Sequence, residues 1–134
     1  MRLVLNSRMA VSRVFQTKWF QRSARKEEIS TAALLDAVER AEKGQIDADL
    51  GGSVIKQRIA RPGHGKSGGY RTIIAFRERD RVVFMYVFPK NKRDNITTDE
   101  LVAFREAAKY LLALTEHQIA ALTKKGDLVE VKRT

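Results

Sequence analysis

The chain has 134 residues, 43% of them apolar, and carries 26 Lys plus Arg against 16 Asp plus Glu for a formal net charge of +10, which fits one small basic domain with one core. It has no cysteine, which excludes a disulfide scaffold, thiolate catalysis and a Cys-based zinc site, and its two separated histidines argue against a histidine metal centre, so neither metal nor cofactor is expected. No apolar run approaches the roughly 20 residues that cross a bilayer and the first ten residues lack a signal peptide's apolar segment, so a soluble cytoplasmic protein with no membrane partner is expected.

Residues 1–10 show no period and read as a flexible extension, leaving 11–134 as a single domain in which 115–134 form a short helix and tail. Val11 to Gln16 predicts a strand. Thr17 then caps a helix containing Trp19, Phe20 and Ala24, ending near Glu28. A second helix starts after Ser30 or Thr31, carries the stripe Leu34, Leu35, Val38 and Ala41, and stops at Gly44. Together they form a helical hairpin, with Trp19 and Phe20 read as core anchors ahead of a base-stacking role.

Gln45 to Ser53 reads as a loop leading into a strand, Val54 to Ala60, that buries Ile55 and Ile59 and turns Lys56 and Arg58 outward. Arg61 to Gly69 is a basic, glycine-rich connection containing His64 and Lys66. It precedes a strand instead of opening a helix, which excludes a nucleotide-binding P-loop. Strands follow at Tyr70 to Phe76 and Arg81 to Phe88, joined by the turn Arg77 to Asp80. Strict alternation sets Tyr70, Thr72, Ile74 and Phe76 against Arg71, Ile73 and Ala75, and Val82, Phe84, Tyr86 and Phe88 against Val83, Met85 and Val87. Arg71 is expected at a concave basic surface. Tyr86 belongs either there or in the core.

Pro89 ends the third of these strands, and Lys90 to Asn95 form a second basic loop. Thr97 and Glu100 have capping-box spacing for a helix through Leu114 with the stripe Leu101, Phe104, Ala108, Leu111 and Leu112. Thr115 caps a shorter helix ending near Gly126; His117, at its exposed start, receives no catalytic role. Asp127 to Thr134 reads as a short strand or a frayed tail. The predicted order is βααβββα with a short terminal addition.

Charge is unevenly placed: residues 54–96 carry 11 basic and 3 acidic side chains, eight of the ten net positive charges. Such a concentration favours a nucleic-acid partner through local attraction and salt-dependent affinity. A solvated sheet face or a contact for an acidic protein is the other reading.

In Ile55 to Phe76, IKQRIARPGHGKSGGYRTIIAF, a basic strand and loop lead through Gly69, Tyr70 and Arg71 into a central strand, and FPKNKRDNI follows from Phe88 to Ile96. In that order, across most of residues 11–114, the chain resembles the RelE/ParE superfamily of type II toxin-antitoxin toxins, especially RelE/HigB-like messenger-RNA interferases. The resemblance implies an α+β fold, a small antiparallel sheet with an N-terminal helical hairpin and C-terminal helices. It also implies a metal-independent endoribonuclease that cleaves messenger RNA on the translating ribosome, neutralised by a HigA-like or RelB-like antitoxin.

The family's basic strand pattern falls on Lys56 and Arg58 and its central-strand arginine on Arg71. Arg61 and Lys66, with Lys90, Lys92 and Arg93, are assigned to RNA binding. RNA brings its own 2'-hydroxyl nucleophile, so cleavage needs orientation, proton transfer and charge stabilisation at phosphate. Arg71 would donate two hydrogen bonds to the scissile phosphate while Lys56 and Arg58 orient the backbone. Lys56 is the preferred general base, and His64 is a second candidate for proton transfer. The C-terminal KKGDLVEVKRT departs from the family in lacking a terminal aromatic. Toxins of the ParE branch look similar and act on DNA gyrase, so two alternatives stand: a gyrase-directed toxin, or a non-catalytic nucleic-acid-binding module.

Overall fold

The structure, a computed structural model, describes residues 12–60 and 68–133. The expected extension at 1–10 and the proposed site residues Arg61, His64 and Lys66 lie outside the described residues. Ten elements follow in order: β1 (Arg13–Thr17), α1 (Lys18–Lys26), α2 (Thr31–Glu42), β2 (Ala48–Gly51), β3 (Val54–Ile59), β4 (Tyr70–Arg77), β5 (Arg81–Pro89), α3 (Thr98–Ala113), α4 (Glu116–Lys125) and β6 (Leu128–Val131).

The helices begin where their hydroxyl caps dictate. Thr17 Oγ1 accepts from the Phe20 amide and Ser30 Oγ from the Ala33 amide, each at 3.1 Å. Thr97 with Glu100, and Thr115 with Gln118, close full capping boxes that satisfy two orphan amides apiece. Gly126, at φ +83°, ends α4 in the left-handed conformation that a residue without Cβ adopts freely.

The six strands form one sheet in the order β2-β3-β4-β5-β1-β6. Four of its five pairings are antiparallel, as expected; β1 with β5 is parallel, because α1 to β4 intervene between them and let the chain return in the same direction. β2 and β6 enlarge the sheet beyond the predicted order. β2 replaces the loop expected at 45–53: Asp49 and Gly51 disfavour a strand locally, but pairing with β3 and the buried Gln57 side chain override that. Gln57 Oε1 accepts from the Asp47 amide at 2.8 Å, and its Nε2 donates to Ala37 O and Gln45 O. The last segment resolves into β6, pairing antiparallel with β1.

Two apolar layers use the two faces of the sheet. α1 and α2 cover one through Phe20, Ala24, Leu34, Ala37, Val38 and Ala41, against Val14, Ile55, Ile59, Tyr70, Ile74, Val82, Phe84 and Val87. α3 and α4 cover part of the other through Ala108, Leu111, Leu112 and Ile119, against Phe15, Val54, Ile73, Ala75, Val83 and Phe88. Buried Arg81 fastens this second layer: its Nη1 donates to Leu111 O at 3.0 Å and Leu114 O at 2.9 Å, satisfying carbonyls at the end of α3. Among the described residues no helix is long and apolar enough to cross a membrane.

Strict alternation fails in β5. Register shifts between Ile73 and Ile74, so that Ile73 pairs with Tyr86 while Ile74 pairs with Phe84, leaving Met85 as an extra residue. That bulge separates Phe84, under the N-terminal helices, from Tyr86 and Phe88, which join the α3 side.

Candidate nucleic-acid interface

On the sheet face that α3 packs against, β3, β4 and β5 also carry polar and aromatic groups. Register builds two rows across these strands. Lys56 pairs with Ile73 and Ile73 with Tyr86; Arg58 pairs with Arg71 and Arg71 with Phe88. Paired residues share a face, and a step of two along β3 returns to it, so Lys56, Arg58, Arg71, Tyr86 and Phe88 converge.

Glycine permits this convergence at the β4 entry. A Cβ on Gly69 would lie 2.5 Å from Ile59 O, so a side chain there would push the start of β4 away from the end of β3. The Tyr70 hydroxyl anchors the same point from the opposite face, donating to Glu27 at 3.2 Å, and the Lys90 amide donates to Gly69 O at 3.0 Å. The second basic loop is thereby tied to the start of the central strand.

Arg71 lies at only 9% exposure with its Nη1 buried and without a hydrogen-bond partner among the described residues; Arg58 Nε is in the same condition. Burial, and then the like charge of Arg58, pull the Arg71 pKa below its ordinary value, while Asp47 opposes the shift. Asp47 is itself engaged, accepting from the Arg58 amide. A guanidinium does not escape such a setting by losing its proton. An arriving anion would relieve both the desolvation and the repulsion.

Among the described residues Arg71 makes no ion pair and stands as a buried cation. Lys56 and Arg58 are less exposed than an outward-facing strand position implies: both are half-buried, and Lys56 Nζ donates to Asn95 Oδ1 at 3.4 Å. Lys92 is exposed and Lys90 half-buried. Arg93 is committed within the protein: its Nη2 lies 2.6 Å from Glu100 Oε1, its Nη1 donates to the Tyr86 hydroxyl at 3.2 Å, and its guanidinium lies over the Tyr86 and Phe88 rings. Arg93 therefore positions Tyr86 more than it offers a free charge. Arg93 also holds the Glu100 carboxyl down to about 2.

Trp19 departs from its expected role. Phe20 is fully buried, as an anchor should be, but Trp19 is 49% exposed and stacks on Tyr86 with ring centroids 5.0 Å apart. Its position two residues after the Thr17 cap, in the first turn of α1, carries it past the edge of the core. Helical periodicity alone did not distinguish the two aromatics; that cap position was the available signal.

The family model for the RelE toxin of the RelE/RelB toxin-antitoxin system matches residues 12–131. No curated protein matches the chain. The matched span includes every described strand and helix, among them the strands that bring Lys56, Arg58 and Arg71 together, and the chain belongs to the RelE family of toxin-antitoxin toxins.

Proposed function

We propose that this RelE-family toxin is a metal-independent endoribonuclease that cleaves messenger RNA on the translating ribosome. The observation that carries the reading is the Arg58 and Arg71 pair: two cations in register, each with a buried guanidinium nitrogen lacking a partner among the described residues, on a face shared with Lys56. Such a pair fits a phosphate whose charge grows during reaction.

In the proposed reaction the RNA 2'-oxygen attacks the adjacent phosphorus, the bond from phosphorus to the 5'-oxygen breaks, and a 2',3'-cyclic phosphate and a 5'-hydroxyl result. Lys56 takes the 2'-hydroxyl proton. The leaving 5'-oxygen receives a proton, a role assigned to His64. Arg71 and Arg58 bind the nonbridging oxygens as charge accumulates there. Lys90 and Lys92, with Arg61 and Lys66, bind flanking phosphates, and Arg93 acts by holding Tyr86. A HigA-like or RelB-like antitoxin is the proposed neutralising partner, and the cytoplasm, where translating ribosomes are, is the proposed location.

Mapping RNA 5' ends after controlled expression tests this reading beside Arg71→Ala. Cuts inside translated messages that vanish in the variant are expected. A toxic wild type with unchanged RNA ends would contradict it and favour a protein target such as DNA gyrase.

A further inference from the structure

Three large apolar side chains are exposed among the described residues: Trp19, Val102 and Tyr110. Val102 and Tyr110 lie on α3. Trp19 adjoins the basic face through Tyr86, which belongs to the row containing Lys56 and itself packs against Phe88 and Phe104 at centroid distances of 5.8 and 5.5 Å. The indole is inclined 24° to the Tyr86 ring, and among the described residues Tyr86 is the aromatic it contacts. Tyr86 is fixed from a further side by Arg93, which bonds its hydroxyl and is held in turn by Glu100.

We propose that Trp19, backed by Tyr86, is a stacking platform for an unpaired nucleobase of RNA whose backbone lies on Lys56, Arg58 and Arg71. The proposal rests on the RNA reading above and adds a binding residue to it. The opposing explanation, a core anchor, would place the indole under cover, where Phe20 is. An indole left half in water forgoes much of its burial free energy, and a planar partner arriving from solvent recovers it. Every base has such a plane, so the contact contributes affinity without demanding a particular base. Adjacent strands are about 4.8 Å apart, which puts the Tyr86 strand about 10 Å from the Lys56 strand and leaves room for backbone on one side and a base on the other. α1 continues the path: exposed Arg22 and Lys26, three and seven residues beyond Trp19, share its side of the helix.

Trp19 is the sole tryptophan of the chain, so its emission reports this position alone. The test titrates the full-length protein with a single-stranded 2'-deoxy oligonucleotide, which lacks the nucleophile and stays intact, and with an abasic oligonucleotide of equal length. Emission should change as the first saturates and stay nearly constant as the second saturates. Trp19→Ala should weaken binding of the base-bearing oligonucleotide by about tenfold, the scale of one base stack, with the salt dependence unchanged because every cation that meets a phosphate is still present. Trp19→Phe keeps a ring and should recover most of the affinity, which separates stacking from a folding defect. Unchanged emission at saturation, or equal affinity of wild type and Trp19→Ala in a protein that still cleaves messages, would overturn the platform and leave the endoribonuclease reading standing. Failure of both oligonucleotides to bind, together with unaltered RNA ends on expression, would remove the RNA reading and the platform with it.

Discussion

Arg58 and Arg71 face each other in register across β3 and β4, and Arg58 Nε and Arg71 Nη1 are both buried without a hydrogen-bond partner among the described residues. Like charges directly opposite in a sheet are destabilising, and unpaired buried polar atoms add to the cost. Functional sites retain arrangements of this kind because a ligand completes them.

Arg71→Met keeps an unbranched, flexible stem and removes the charged guanidinium. Its thermal stability should equal or exceed that of wild type, by up to about 1 kcal/mol, since it removes one member of a repelling pair. Denaturant titration of the two proteins measures this. A clear loss of stability would mean that Arg71 has a structural partner.

Lys90→Ala with Lys92→Ala should weaken RNA association and lower the slope of log affinity against log salt by about 0.7 for each phosphate left without its lysine. The single-turnover rate at saturating protein should stay near that of wild type. A fall in the saturated rate with unchanged affinity would move these lysines from binding into the chemical step.

The pair formed by Arg93 and Glu100 sets an acid limit on the start of α3. Glu100 titrates at about 2 in the folded protein against an ordinary 4.5, with the hydrogen bond from Arg93 as the largest cause. A depressed carboxyl contributes stability above its unfolded pKa and loses that contribution as pH falls through the folded value. Wild type should therefore be more stable than Glu100→Gln above about pH 4.5, and the difference should disappear towards pH 2. Thermal melts of both proteins across that range give the comparison; a gap independent of pH would show that charge is not its source.

Arg81→Met leaves the carbonyls of Leu111 and Leu114 without their donor. Stability should fall by about 1–3 kcal/mol, the cost of unsatisfied buried acceptors, with cleavage retained at temperatures where the protein is folded. Chemical denaturation paired with an activity measurement separates the two effects.

Much of the scaffold was legible because its signals are local. Thr17, Ser30, Thr97 and Thr115 marked the helix starts through their own hydroxyls, and Gly126 marked an end. Strand β2 was not, because Asp49 and Gly51 are poor strand formers and the segment is ordered by the β3 edge and the distant amide of Gln57. The parallel pairing of β1 with β5 joins residues nearly 70 positions apart, which local periodicity does not encode. At the site, alternation grouped Lys56 with Arg58 on one strand and Arg71 with Ile73 on the next, and the register between the strands joins the two groups on one face. Alternation misplaced the phase of β5, since a bulge at Met85 depends on the partner strand, and helical periodicity treated Trp19 like Phe20, although these adjacent residues, about 100° apart around the helix, meet solvent and core respectively. That Arg58 Nε and Arg71 Nη1 lack a partner among the described residues depends on what surrounds them in space.

Single-turnover cleavage of a message on programmed ribosomes, comparing wild type with Arg71→Met at saturating protein, tests the central claim most directly. Loss of a donor to the developing phosphate charge should slow cleavage by about 100- to 1,000-fold in a variant as stable as wild type. Equal cleavage rates in the two proteins would contradict a role for the buried Arg58 and Arg71 pair in the reaction.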